Sequence, residues 1–253
     1  MMMCHHIFRY FSFLAKAFKY NVKLSIFFSQ LFNDFYTIGS KSVFLMSLLA
    51  FSIGFVTALQ LITMLEGVFI PDFLIIVGIK NTIFLEFAPT ILCFIFLGRN
   101  VTAMACNIFD KKRSGYYDNF SVIGVNTVSF SCLSKIIACT LSFPLLTVFS
   151  CLFSLIGSYI YCVFISGMSN SVFFGALITY LNQGFLCFCF FKTIVFGFLC
   201  SSIAAYLGYC YYEENSVDII YVSQHCFTVL SIVLLLADIF LNLFKSFFLI
   251  IKY

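Results

Sequence analysis

Charge is scarce in this chain, and that scarcity excludes whole classes of protein. Asp, Glu, Lys and Arg supply 9% of the 253 residues, hydrophobic residues supply 62%, and mean hydropathy is +1.08. A wetted globular surface carries about a quarter charged residues, so the solvent for much of this chain is lipid. Tryptophan is absent, which removes the usual Trp belt at membrane interfaces and leaves tyrosine to serve there. The net charge of +4 is small and dispersed, which excludes a nucleic-acid footprint. No phosphate-binding glycine loop occurs, so ATP hydrolysis is not expected from this chain. No short basic region followed by an apolar one opens the sequence, so no secretory signal is expected.

Histidine is as thin. His5, His6 and His225 are the only three, and none stands where a nucleophile and base would meet within the spans. The twelve cysteines show no paired metal spacing; Cys93, Cys139, Cys151 and Cys200 sit in apolar runs. There a free thiol behaves as a small hydrophobe. Cys4, His5 and His6 read as a terminal leader, and no metal site is expected.

What is present is long apolar runs and a basic leader. In residues 1–41, Arg9, Lys16, Lys19, Lys23 and Lys41 face one acid, Asp34. At about 100° per residue, Phe11, Ala15, Phe18 and Val22 fall within roughly 60° of arc, beside a basic arc of about 80° formed by Arg9, Lys16, Lys19 and Lys23. Tyr10, Phe13 and Leu24 interrupt the two-faced pattern. The leader is expected to be an interfacial amphipathic helix.

Five segments can each cross a hydrocarbon core of about 30 Å as roughly 20 residues of helix. They are expected at about 42–65, 82–109, 136–165, 184–208 and 225–250, forming one membrane domain over 42–253. The fold class expected is all-α membrane protein. The leader and the 110–127 connection carry the basic residues, which places both on the cytoplasmic side. The 209–224 connection holds Glu213, Glu214 and Asp218 without a base, and acids count for little in that rule.

Four ionisable residues fall inside the expected spans: Glu86, Arg99, Lys192 and Asp238. Each would cost about 2.5–3.5 kcal/mol facing lipid, so each should face the bundle interior or a wet cavity. In a regular α-helix Glu86 and Arg99 lie roughly 20 Å and about 220° apart, which argues against their pairing. Depth suggests other partners. At about 1.5 Å per residue, Glu86, Lys192 and Asp238 fall roughly 6, 12 and 10 Å below the outer boundary. The expectation is a Glu86–Lys192–Asp238 network that either lines a substrate cavity or staples the bundle. Arg99, near the inner boundary, is expected to anchor there by reaching lipid phosphates.

Between two spans, residues 110–127 combine charge (Asp110, Lys111, Lys112, Arg113, Asp118) with an apolar end (Phe120, Val122, Ile123). A plain linker would not need that apolar set. A short amphipathic helix docking on a cytoplasmic partner would.

An ordered set of motifs is similar to one known family. Leu85-Glu86-Phe87-Ala88-Pro89, followed ten residues later by Gly98-Arg99, resembles the Glu-Leu-Gly-Pro…Gly-Arg block of the MlaE-type permeases. These are the membrane subunits of lipid-transporting ABC systems that work with MCE-domain proteins. Gly54 and Gln60, the run Ile123-Gly124-Val125-Asn126, Pro144-Leu145-Leu146-Thr147, Lys192-Thr193-Ile194-Val195-Phe196 and Asp238 match in order and spacing. The likeness covers about residues 30–245. It implies a homodimer of five-span subunits in the inner (cytoplasmic) membrane, with a phospholipid or similar amphiphile between them. It also implies an ABC ATPase docked on a coupling segment that includes Lys111, Lys112, Arg113, Phe120, Ile123 and Gly124. An MCE-domain lipid-binding protein would sit on the outer side. No cofactor is then bound by this chain, and ATP acts through the partner.

Departures from the family pattern cluster on the cytoplasmic side. Asn107 and Phe109 stand for an acid and a glycine, Gly115-Tyr116 for Glu-Gln, and Thr127 for a proline. The 213–218 stretch replaces a small, glycine-rich connection. A second reading is therefore a non-transporting membrane scaffold, and a third is an intramembrane lipid enzyme.

Overall fold

A computed structural model describes residues 2–18, 24–65, 70–122, 127–179, 183–210 and 218–251. Ile123 and Gly124 of the expected coupling segment lie outside the described residues, as do Val22, Lys19 and Lys23 of the leader and Glu213–Val217. The elements are α1 (Met2–Phe18), α2 (Leu24–Leu65), α3 (Asp72–Arg113), α4 (Tyr116–Val122), α5 (Thr127–Tyr159), α6 (Asn170–Thr179), α7 (Gln183–Cys210) and α8 (Ile219–Ile251). Among the described residues no strand occurs. The protein is an all-α membrane protein.

Among the described residues five helical stretches are long and apolar enough to cross a membrane: Phe27–Leu65, Asp72–Arg113, Ser131–Ile165, Leu186–Cys210 and Ile219–Phe244. Each contains one of the five expected spans or most of it. The helices outrun the apolar windows because a basic residue does not stop a helix; Lys is a good helix former. α2 has 42 residues, or about 60 Å of helix, and passes through Lys41 where the first span was expected to begin. α3 likewise starts at Asp72, ten residues before the expected Thr82, and α6 is a helix within what looked like a connection.

α3 is not a regular α-helix. Ile83–Ile91 and Leu97–Val101 are π-helical. Pro89 lies inside the first stretch, where its missing N–H and its ring disfavour an α-type bond to the Leu85 carbonyl. Wider turns are the local solution. The angle of about 220° between Glu86 and Arg99 assumed unbroken α geometry. Both residues lie in π-helical stretches, so that figure does not describe this helix.

The chain forms two compact units. One comprises residues 41–95 and 143–194. Here α2 and α5 cross with backbones nearly touching, through the small stripes Ala50, Gly54, Ala58 and Ser150, Ser154, Gly157. A Cβ on Gly54 would collide with the Ser154 carbonyl, and one on Gly157 with the Phe51 carbonyl. This is the close approach that small residues permit between membrane helices. The buried serines need no partner across the gap, because Ser150, Ser154 and Ser158 donate to carbonyls of their own helix at 2.8–3.0 Å. At one end of the unit, Ile75, Ile76, Ile79 and Ile83 of α3 pack with Ala58 and Ile62 of α2, Cys162 beyond α5, and Phe173 and Ala176 of α6.

The other unit comprises residues 1–40, 96–142 and 195–253. Gly208 of α7 packs on α3, where an added Cβ would lie 2.5 Å from the Ala105 carbonyl. Asn100 of α3 donates to the Ile38 carbonyl of α2 at 3.0 Å. α3 ends where Ser114 N–H bonds the Asp110 carbonyl at 2.9 Å and Gly115 takes φ +71°. A glycine suits that left-handed position best, and α4 follows at once.

α1 has three faces. Phe13 and Ala17 are buried, with Tyr10 half-buried beside them, while Phe8, Phe11, Phe18, Arg9 and Lys16 are exposed. Tyr10 and Phe13, which interrupt the two-faced sequence pattern, are the side chains that dock on the protein.

Candidate functional site

The buried chemistry begins with the backbone of α3. In the π-helical stretch, three successive carbonyls receive side-chain donors. The Cys189 thiol reaches the Phe84 carbonyl at 3.1 Å, Lys192 Nζ reaches that of Leu85 at 2.9 Å, and the Thr90 hydroxyl bonds that of Glu86. Cys189 and Lys192 are three apart on α7 and so share one helix face. The Lys192 acceptor is the carbonyl that Pro89, four residues on, cannot serve as an α-helix would. The buried lysine thus meets the helix where its turns are widened.

Lys192 is fully buried, and Glu86, next to its contact, is half-buried. The fold therefore brings Lys192 to the turn that carries Glu86. Asp238 belongs to the other compact unit, where it is half-buried and accepts from Asn242 Nδ2 at 3.4 Å. Arg99 is exposed on the second π-helical stretch.

Beside the Lys192 contact lies an apolar cavity of about 140 Å³. Its walls are Phe84 of α3, Thr147, Val148, Cys151 and Leu152 of α5, and Leu186, Cys189, Phe190 and Thr193 of α7. Val148, Leu152 and Phe190 are exposed at its rim. An apolar cavity of about this size stays dry and accepts a benzene-sized group, so it has room for a few methylenes.

Two further lysines are buried without having stood out in the sequence. Lys80 is 2% exposed and Lys135 7%. Lys135 Nζ donates to Asn107 Oδ1 at 2.6 Å, and neighbouring Ser134 donates to Asp34 Oδ2 at 2.9 Å. Both lysines stand just outside the expected spans, which began at 82 and 136. No motif marks them; the signal is only that good helix formers flank the apolar windows on both sides.

At the other candidate segment, two of the three bases are turned onto aromatic rings. Lys112 Nζ lies 3.6 Å over the Tyr209 ring and donates to the Tyr209 carbonyl at 2.8 Å. Lys111 Nζ is 5.4 Å from the Tyr116 ring centre. Arg113, Asp110 and Asp118 are exposed. Phe120 lies within α4. Tyr117 is buried and shares a 2.9 Å hydrogen bond with Ser131. Burial pushes its phenol well above the usual tyrosine range, against the weaker pull of Ser131. Burial likewise raises Tyr10, whose hydroxyl shares a 2.8 Å bond with Ser202.

Apolar helices of this length, with a lysine buried against a broken helix, belong to a multi-pass helical membrane protein. The model of the family described as Permease MlaE matches residues 31–244, and the chain belongs to that family. No curated protein matches it. Membership makes it a lipid ABC-transporter permease, a membrane subunit rather than an enzyme. The family works with ATPase and MCE partners. The matched region begins within α2, after α1.

Proposed function

We propose that two copies of this chain form a phospholipid pathway across the inner (cytoplasmic) membrane. An ABC ATPase docks on the segment from Lys111 to Gly124, and an MCE-domain protein exchanges lipid on the opposite side. ATP is consumed by the ATPase, and this chain binds no cofactor of its own. Glu86, Lys192 and Asp238 orient headgroups or gate the path, without a covalent step. Arg99 anchors the inner boundary through lipid phosphates.

One observation carries this reading: the fully buried Lys192 held on the Leu85 carbonyl, beside an apolar cavity with an exposed rim. An ionisable residue buried in a span is by default a candidate for a substrate path, and a broken helix is tolerated where it lines a cavity or is buried in protein.

The test is purification in mild detergent followed by reconstitution with the proteins that co-purify. Recovery of an ATPase and an MCE-domain protein, with ATP-dependent movement of labelled phospholipid, is the expected result. Recovery of neither would sink it. The scaffold reading has one observation in its favour, since Lys111 and Lys112 face rings of their own chain. It predicts that a co-purified ATPase gains no activity from this subunit.

A further inference from the structure

Tyr209, next to the last residue of α7, touches three other elements. The Phe13 ring of α1 is 5.5 Å from it, the Tyr117 ring of α4 is 6.4 Å away, and Lys112 of α3 stands 3.6 Å over its face. Its carbonyl takes the Lys112 amine as well, at 2.8 Å. One turn back, Tyr206 meets Tyr10 at 5.6 Å and Phe13 at 5.8 Å, both edge-on. The Tyr209 ring is therefore a wall for α1 and for the segment Lys111–Val122.

The rest of α1 faces away from that wall. Phe8, Phe11 and Phe18 form an exposed apolar edge, and Arg9 and Lys16 an exposed basic one. Adjacent apolar and basic edges suit a helix lying in an anionic headgroup layer. Nothing in the proposed lipid pathway uses these edges, or uses the contact that joins α1 to Tyr209.

We propose that α1 makes the Lys111–Val122 segment responsive to anionic phospholipid. Anionic headgroups gathered on Arg9 and Lys16 hold α1 against α7. Phe13 then fixes the Tyr209 ring, and Tyr209 fixes Lys112 and Tyr117. In an uncharged membrane α1 is held less firmly and the segment loosens. This rests on α1 lying at the membrane surface and on Lys111–Val122 being the docking segment.

Hydrogen–deuterium exchange on the full chain tests it without the ATPase. The chain is placed in phosphatidylcholine vesicles with and without phosphatidylglycerol, and peptides covering 2–18 and 111–122 are followed separately. Phosphatidylglycerol should slow exchange in both by about fivefold, the equivalent of one basic residue at an anionic surface. Arg9→Gln with Lys16→Gln should abolish both responses. Phe13→Ala and, independently, Tyr209→Leu should keep the 2–18 response and lose that of 111–122. Tyr209→Leu retains the backbone carbonyl for Lys112, so it isolates the ring.

A response of 111–122 that survives both ring variants overturns the proposal. So does a wild-type response confined to 2–18. No response in 2–18 shows instead that the membrane-surface reading of α1 has failed, and takes the proposal with it. Inorganic phosphate added to phosphatidylcholine vesicles should do nothing; if it reproduces the effect, the surface is not what α1 reads. None of these outcomes depends on transport, so they stand apart from the lipid-pathway reading.

Discussion

Lys192 Nζ donates to the Leu85 carbonyl at 2.9 Å, within the π-helical stretch where Pro89 can make no α-type bond to that carbonyl. Lys192→Met should therefore lower stability by about 1–3 kcal/mol, the cost of removing a buried donor, read as an earlier thermal melt in detergent. Pro89→Ala restores a backbone N–H four residues from Leu85. In the Lys192→Met background it should recover part of the loss. A double variant no more stable than Lys192→Met would show that the amine and the proline are not linked.

The charge at position 192 has a separate test. Lys192→Glu should impair phospholipid movement by tenfold or more, at about 1.4 kcal/mol per tenfold. Glu86→Lys in the same chain should partly restore it if the two charges act as a pair. Transport of the double variant no better than that of either single one rules out direct pairing.

Gly54→Ala and Gly157→Ala each push a methyl into a backbone carbonyl of the neighbouring helix. Each should destabilise by about 1–3 kcal/mol through overpacking. Gly78 is the control, because a Cβ there meets nothing within 4 Å. Gly78→Ala should stabilise by roughly 0.5–1 kcal/mol, as Ala replaces Gly within a helix. Melting temperatures of the three variants decide the matter.

Asn107→Asp should raise stability. The Asn107 oxygen already accepts from the buried Lys135 amine at 2.6 Å, and a carboxylate there turns that bond into an ion pair with both partners charged. Lys135→Met should cancel the gain. Melts of the two single variants and the double complete the cycle.

Alkaline unfolding should carry a contribution from Tyr117. Burial raises its folded pKa above the ordinary value of 10.0, so its contribution is complete below that pH. It falls away as pH climbs from about 10 toward the folded value. Tyr117→Phe cannot ionise, so its melting temperature should fall less steeply over that range. Equal slopes for the two proteins would remove Tyr117 from the account.

The number of crossings and the all-helical class are legible because an apolar run of about 20 residues fits little besides a membrane-crossing helix. Helix ends are not. Lys41, Lys80 and Lys135 lie just outside the expected spans, yet all three lie within continuous helices. The family is legible from ordered short motifs around Glu86, Lys192 and Asp238. The Leu85 carbonyl that Lys192 meets is not, because a backbone group carries no letter. Pro89 is the available clue, and in sequence it suggests a kink rather than a stretch of widened turns. The pattern of α1 suggests two faces where the helix has three, since Tyr10 and Phe13 make sense only once Tyr206 and Tyr209 are beside them.

The crossing of α2 and α5 has a mechanical consequence. With Gly54 seated on the Ser154 carbonyl and Gly157 on that of Phe51, no layer of side chains lubricates the contact. A small slide drives a carbonyl into a Cβ. The next notches, Ala50 and Ala58, are four residues away, about 6 Å along the axis. The two helices are keyed like a shaft and hub: they turn together or jump a full tooth, and every gentler motion must come from elsewhere.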